Sequence, residues 1–188
     1  MNVVKMRFRR AGRPKKKDPN QFSLFSAQVF QLRADSPYAD ALTCEDTGDI
    51  EGAKILYEDA IERGDSRVDA YCNLGILVSQ EGDFLGAFDC FTKSLEIDPR
   101  NFNAHYNLAC LYMDEGDFGL AKLHFEIAGE IDPTRPDVYY NIGAILGMDG
   151  QYDEAIQVLT KYKRMVPNAD QRFVKKVIET LKLKAKSQ

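Results

Sequence analysis

Three asparagines, Asn73, Asn107 and Asn141, recur at a spacing of 34 residues. A primary amide both donates and accepts hydrogen bonds, as a peptide backbone does. A row of such side chains therefore suits binding of an extended main chain with little dependence on its sequence. The alternative is that each amide only braces neighbouring helices. We call these three residues the asparagine row.

Few residues could support catalysis or bind a metal. The chain has two histidines, His105 and His124, and four cysteines without a C-x-x-C pair. The histidines are not at metal-ligand spacing from each other or from a cysteine. The sequence contains no glycine-rich phosphate loop and no readable Ser/His/Asp or Cys/His cluster. We therefore predict a non-catalytic protein with no cofactor, no metal and reduced cysteines.

The elements that must position the asparagine row follow the same period. Glycine, alanine and proline also recur at 34-residue steps, as Gly82, Gly116 and Gly150, as Ala87, Ala121 and Ala155, and as Pro99, Pro133 and Pro167. This period predicts helix–turn–helix units in which glycine forms the turn and proline ends the second helix. Ser36 and Pro37 predict the start of an earlier, degenerate unit.

The pattern resembles the tetratricopeptide repeat. Its signature positions are Tyr71/His105/Tyr139, Leu74/Leu108/Ile142, Gly75/Ala109/Gly143, Val78/Tyr112/Leu146, Ala87/Ala121/Ala155 and Phe91/Phe125/Leu159. The resemblance implies an all-α fold, a right-handed α-solenoid of four helix pairs plus a C-terminal capping helix. The repeats would span 34–67, 68–101, 102–135 and 136–169. We expect the alanines of the second helices to face the small residues of the first.

The capping helix is predicted over residues 170–186. Its apolar stripe would consist of Phe173, Val177, Ile178 and Leu181, and its lysines would face solvent.

The resemblance also implies that the first helix of each repeat lines a concave groove. The groove positions are Tyr38, Leu42, Cys72, Asn73, Ile76, Gln80, Tyr106, Asn107, Cys110, Met113, Tyr140, Asn141, Ala144 and Met148. They include no lysine or arginine, which family members that capture a terminal carboxylate use there. Tyrosine, methionine and isoleucine favour an apolar or aromatic segment instead. We predict an adaptor that binds a peptide segment of a partner protein.

Charge is distributed unevenly along the chain. Residues 1–19 carry a net charge of +7, residues 20–160 of −18 and residues 161–188 of +7. Residues 1–20 are predicted to form a flexible basic arm. The arm resembles an AT-hook, with Ala11 where a basic residue is usual, and its candidate DNA contacts are Arg10, Gly12, Arg13, Pro14, Lys15 and Lys16. The alternatives are a solvated tail and an arm that contacts the acidic body.

Residues 21–33 follow the arm, and Gln21–Phe25 resembles a pentapeptide that docks on the bacterial sliding clamp. The alternative is a short amphipathic helix that packs on the first repeat. Two further functions compete with the peptide-binding adaptor: a nucleic-acid-associated adaptor whose arm binds DNA, and a chaperone for one partner. We expect a cytoplasmic location without membrane insertion. Partner identity and oligomeric state, a homo-oligomer included, stay open.

Overall fold

The computed structural model describes residues 36–187, and for residues 168–170 it describes the backbone. This part of the chain forms nine helices and no strand. They are α1 (Pro37–Thr47), α2 (Ile50–Arg63), α3 (Arg67–Gln80), α4 (Phe84–Ile97), α5 (Phe102–Glu115), α6 (Phe118–Ile131), α7 (Pro136–Met148), α8 (Tyr152–Met165) and α9 (Asn168–Ala185). Each helix packs on its neighbours in sequence. The predicted all-α fold of four helix pairs and a closing helix is confirmed.

A glycine ends the first helix or begins the turn in every pair. Gly48, Gly82, Gly116 and Gly150 all have positive φ, between 78° and 89°. Such a backbone is open to glycine at little steric cost. An aspartate follows in three of the pairs and caps the second helix through its side chain, at Asp49, Asp83 and Asp117. In the fourth pair Gln151 makes no side-chain cap bond.

The first pair is closed by a polar contact between its two ends. Ser36 caps α1 by accepting a hydrogen bond from Ala39 N at 3.2 Å, as the Ser36-Pro37 pair predicted. Its hydroxyl then donates to Asp65 Oδ2 at 2.6 Å, and Tyr38 N donates to the same oxygen at 3.1 Å. These bonds attach the start of α1 to the segment after α2.

Helix pairs approach closely where the first helix has a small residue. A Cβ atom added to Gly75 would lie 2.7 Å from Phe91, and one added to Gly143 would lie 2.6 Å from Leu159. The atoms nearest to these two glycines belong to Phe91 and Leu159, one helical turn beyond Ala87 and Ala155 of the second helices. These alanines are fully buried, and their facing of the glycines stays a prediction.

The final helix covers the last pair with a stripe that includes Ile178 and Leu181 as predicted, with Val177 half-buried beside it, but begins at Val174 and not at Phe173. Val174, Ile178 and Leu181 of α9 are buried in the same cluster as Ile142 of α7. Phe173, which we placed in the stripe, is 60% exposed. Residues 174, 178 and 181 are separated by four and three positions, so they share one face of a helix, and residue 173 points away from it. The predicted lysines of α9 are exposed.

Several predictions concern residues outside the described part of the chain. They include the basic arm with its candidate DNA contacts and the segment 21–33 with its pentapeptide. Among the described residues, no helix combines the length and the apolar character that crossing a membrane requires.

Candidate functional site

Four of the helices, α1, α3, α5 and α7, are the first members of their pairs. We call the surface that they share the first-helix face. Helices α3 and α5 contact each other directly. Side-chain hydrogen bonds of the asparagine row connect other first helices, and these bonds differ along the row.

Asn73, in α3, is bonded to the first helix pair. Its Nδ2 donates to Tyr57 OH at 3.0 Å and to Tyr38 OH at 3.4 Å. Tyr57 is fully buried, and its hydroxyl donates to the Glu45 carboxylate. Burial, followed by the Glu45 contact, raises the pKa of Tyr57, so the phenol keeps its proton at neutral pH. This amide therefore braces two helix pairs.

Asn141, in α7, makes an equivalent bond two repeats later. Its Nδ2 donates to Tyr106 OH of α5 at 3.2 Å. The Tyr106 ring packs edge-on against Phe125 at 5.3 Å and stacks on Phe102 at 5.8 Å. Burial raises the pKa of Tyr106 as well. The tyrosine is therefore held on several sides, and the amide that contacts it is held too.

Asn107, between these two, has no tyrosine partner among residues 36–187. The bonded tyrosines Tyr38 and Tyr106 precede Asn73 and Asn141 by 35 residues, and the residue that precedes Asn107 by 35 is Cys72. Asn107 is 8% exposed, and its amide makes no hydrogen bond within residues 36–187. Neither of its amide atoms is among the fully enclosed side-chain atoms that lack a partner in the described part of the chain, so the small exposed part of Asn107 leaves the amide within reach of water. The middle of the asparagine row is thus the position with an open amide.

Cys72 stands at the position where the other two asparagines have a tyrosine, but it cannot take over that role. Its side chain turns into the protein. It is 1% exposed, and its Sγ lies 3.2 Å from Ser94 Oγ and 3.5 Å from Asn101 Oδ1. Burial raises the pKa of this thiol to about 11. We predicted Cys72 as a groove residue, and the structure corrects this, because a ligand on the first-helix face cannot reach it.

The other predicted groove residues fall into three groups by exposure. Tyr106 and Asn107 are buried, and Gln80 and Met148 are exposed. The half-buried residues are Tyr38, Leu42, Asn73, Ile76, Cys110, Met113, Tyr140, Asn141 and Ala144. Half-burial fits a side chain that is fixed on one side and open on the other, as a binding surface requires.

Charged residues of the first-helix face were missed by the sequence analysis. Arg135 donates to Asp137 Oδ2 at 2.8 Å, and its guanidinium lies 4.4 Å from the centre of the Phe102 ring. Asp137 begins α7, and Asp114 lies near the end of α5. Burial, and then the carboxylates of Asp114 and Asp137, raise the pKa of the Cys110 thiol to about 12. The sequence did contain a sign of Asp137. Asp69, Asn103 and Asp137 are spaced by 34 residues, and each is the second residue of its repeat.

The two histidines lie together, which their sequence spacing did not predict. His105 Nδ1 is 3.1 Å from His124 Nδ1, and His105 Nε2 is 3.1 Å from the Pro99 carbonyl oxygen. A carbonyl only accepts, so His105 carries its proton on Nε2, and His124 Nδ1–H donates to His105 Nδ1. Burial, followed by the repulsion that two protonated rings this close would feel, lowers the pKa of His124. Within the described residues, no group of three or more potential ligands could hold a metal.

The unequal hydrogen bonding predicts unequal effects of truncation on stability. We expect Asn73→Ala to lower the free energy of unfolding by about 0.5–1.5 kcal/mol, because it removes the bond to the buried Tyr57. Asn107→Ala loses no such bond, and we expect a change within about 0.5 kcal/mol. Urea denaturation of both variants measures the difference. Equal losses would contradict the assignment of Asn73 to bracing and Asn107 to an open position.

The geometry defines a class of protein, a solenoid of helical hairpins with a continuous first-helix face. Comparison with family models identifies the hairpin: residues 68–101 match a tetratricopeptide repeat model, and residues 90–122 and 128–157 match a second model of the same description. The chain therefore contains tetratricopeptide repeats. No curated protein sequence matches it.

Solved structures of similar fold include YrrB, described as a TPR protein with an unusual peptide-binding site. It is 21% identical, with a TM-score of 0.65, over 86% of this chain and 85% of that one. MamA is 20% identical, with a TM-score of 0.62, over 79% of this chain and 86% of that one. An O-GlcNAc transferase from Thermobaculum terrenum is 27% identical, with a TM-score of 0.50, over 54% of this chain and 19% of that one.

Proposed function

We propose that the protein is a non-catalytic adaptor that binds an extended segment of a partner protein along the first-helix face. The observation that carries the proposal is the amide of Asn107, which lies in the middle of that face and has no hydrogen-bond partner in the part of the chain that the structure describes. The main chain of an extended peptide offers both a donor and an acceptor for such an amide. The fold likeness to YrrB, which has a peptide-binding site, supports the same kind of ligand.

The side chains around Asn107 suit apolar and aromatic parts of a ligand. Ile76, Cys110, Met113 and Tyr140 are half-buried on the first-helix face. Methionine adapts its shape to different partners, and tyrosine offers apolar area with one polar group. One cation beside this face, Arg135, is already paired with Asp137 and Phe102. Binding of a partner's terminal carboxylate is therefore not part of the proposal.

The test is selection of binding peptides on the full-length protein. A phage-displayed library of random 12-residue peptides would be selected against it, and the affinities of recovered peptides would be measured by fluorescence anisotropy. We expect Ala144→Arg to weaken binding by about tenfold or more, or about 1.4 kcal/mol, because Ala144 is half-buried on the first-helix face. The new guanidinium would occupy space that the ligand uses.

The matched control is Gln157→Arg. Gln157 is exposed on α8, the second helix of its pair, so this variant adds the same charge away from the proposed site. We expect its affinity for the peptides to equal that of the unchanged protein. The proposal fails if no peptide is recovered, or if both arginine variants weaken binding equally while their thermal melting curves match the unchanged protein.

A further inference from the structure

We propose that a groove between α4 and α6 binds an amphipathic helix of a partner protein that carries basic residues at one end. The groove is formed by second helices, so it is separate from the first-helix face and goes beyond the proposed function. We call it the second-helix groove. Its floor is Tyr112 of α5, and its walls are Phe84 and Phe88 of α4 and Leu120 and His124 of α6.

Aromatic contacts join the two walls of the groove through its floor. The Phe88 ring packs edge-on against Tyr112 at a centroid distance of 6.0 Å, and Tyr112 lies 5.5 Å from the His124 ring. Phe84 lies one helical turn before Phe88 on the same face of α4, and Leu120 has the same relation to His124 on α6. The walls are therefore separated by one aromatic ring. A groove of this width accepts a row of side chains from one face of a helix.

The apolar walls are open to solvent. Phe84 is 42% exposed, Phe88 41% and Leu120 38%. Tyr112 and His124 are half-buried between them. Apolar surface that continues over several residues marks interaction sites, and aromatic residues are common in them. Because the rings of Phe88, Tyr112 and His124 hold one another in place, a ligand that covers them would restrict few rotations.

The wall on α4 departs from the repeat pattern. Phe88 stands at the position where the repeats before and after it have Lys54 and Lys122. Lys54 pairs with Glu81 at 2.9 Å, and Lys122 pairs with Glu126 at 3.7 Å. A helix pair therefore folds with a charged residue at this position. Folding requires no phenylalanine here, which points to a partner that covers Phe88.

The facing wall on α6 departs from the pattern at the same place. The position of Leu120 is held by Gly52, Gly86 and Glu154 in the other repeats. Among the helix pairs that the structure describes, only α4 and α6 thus have a large apolar side chain at both of these positions. The two departures are independent in sequence and meet in one groove.

The end of the groove where α4 and α6 begin is acidic. Consecutive helices joined by short turns run in opposite directions, so these two helices begin at the same end. The chain that leads into them contains four carboxylates and no lysine or arginine, namely Glu81, Asp83, Glu115 and Asp117. Lys54 compensates Glu81, and each helix start adds only about half a positive charge. The excess negative charge favours a ligand helix with lysine or arginine at that end.

The experiment selects helical ligands on the full-length protein. A phage-displayed library of 18-residue peptides on an alanine-rich helical host would be used, with affinities measured by fluorescence anisotropy. We expect a class of amphipathic peptides with apolar residues three, four and seven positions apart and basic residues at one end. Phe88→Lys should weaken their binding by about tenfold or more, because it puts a charge into the groove. Norleucine in place of their basic residues should weaken binding by about threefold, and less at high salt.

Two control variants locate the effect. Gln157→Lys adds the same charge at an exposed position of α8 and should leave the affinity unchanged. Ala144→Arg alters the first-helix face and should also leave this class of peptides unaffected. Neighbouring repeats fold with lysine at the position of Phe88, so we expect Phe88→Lys to fold, which thermal melting checks. Leu120→Glu, which introduces the residue that the last repeat has there, gives a second reading of the groove.

The outcomes distinguish this inference from the proposed function. It is overturned if no recovered peptide is weakened by Phe88→Lys or Leu120→Glu, or if the weakened peptides lack the apolar pattern and the basic end. It is also overturned if the protein alone sediments as a dimer that Phe88→Lys converts to a monomer, because the occupant would then be a second copy. Peptides weakened by Ala144→Arg would support the proposed function in either case.

Discussion

Replacing Phe125 by alanine is expected to lower the free energy of unfolding by about 3–5 kcal/mol. Phe125 is fully buried in α6 and belongs to the cluster that spans the last two helix pairs and α9. Its ring also supports Tyr106 at a centroid distance of 5.3 Å. Truncation would remove the ring, leave a cavity and release the tyrosine to which Asn141 is bonded.

The matched control for this variant is Phe118→Ala, in the same helix. Phe118 is exposed at the start of α6, so its truncation removes little buried area. We expect a loss below about 1 kcal/mol. Urea denaturation followed by circular dichroism compares the two variants. Similar losses would show that Phe125 does not occupy the core position that the structure gives it.

Replacing Ile178 by aspartate is expected to lower the free energy of unfolding by about 3 kcal/mol or more. Ile178 is buried where α9 covers the last helix pair. A carboxylate at this position would either be enclosed without a partner or force α9 away from α7. The same helix lies close to Gly147, where an added Cβ atom would be 3.3 Å from Leu181. Loss of α9 would therefore expose the final repeat to water.

Phe173→Asp provides the comparison on the same helix. The side chain of Phe173 is exposed, so we expect a change within about 0.5 kcal/mol. Thermal and urea denaturation of both variants distinguish the observed stripe from the one that the sequence suggested. Should Phe173→Asp be the more damaging change, the orientation of α9 described above would be wrong.

The period of 34 residues was sufficient to predict the helix pairs and their turns, and an apolar stripe after the last repeat predicted the closing helix. Gly116 and Pro133 recur at fixed steps because each has one structural task, a left-handed turn or the end of a helix. The buried face of α9 was harder to predict from the sequence, because this helix lies outside the repeats. Hydrophobicity alone selected Phe173, whereas the contact with α7 selects Val174.

The site was predicted only in its outline. Repeat spacing assigns equal roles to Asn73, Asn107 and Asn141, because it does not show which side chain stands opposite each one. The difference between Asn107 and the other two asparagines depends on Cys72. This residue turns towards Ser94, so no tyrosine hydroxyl stands at its position to accept a hydrogen bond from Asn107. The sequence spacing of His105 and His124 also did not predict their contact. Helices α5 and α6 pack as a pair and bring together these residues, which are 19 positions apart.

The position of Cys72 has a consequence for anyone who would rebuild this protein from identical units. Averaging the copies, or duplicating the unit that contributes Tyr106, would put a phenol before every asparagine. Such an idealised array would fold at least as well, since each amide would gain a bond. It would also have lost the feature that distinguishes its centre from its ends. If Asn107 binds the ligand as proposed, regularity and recognition favour different residues at position 72, and the natural chain has the irregular choice.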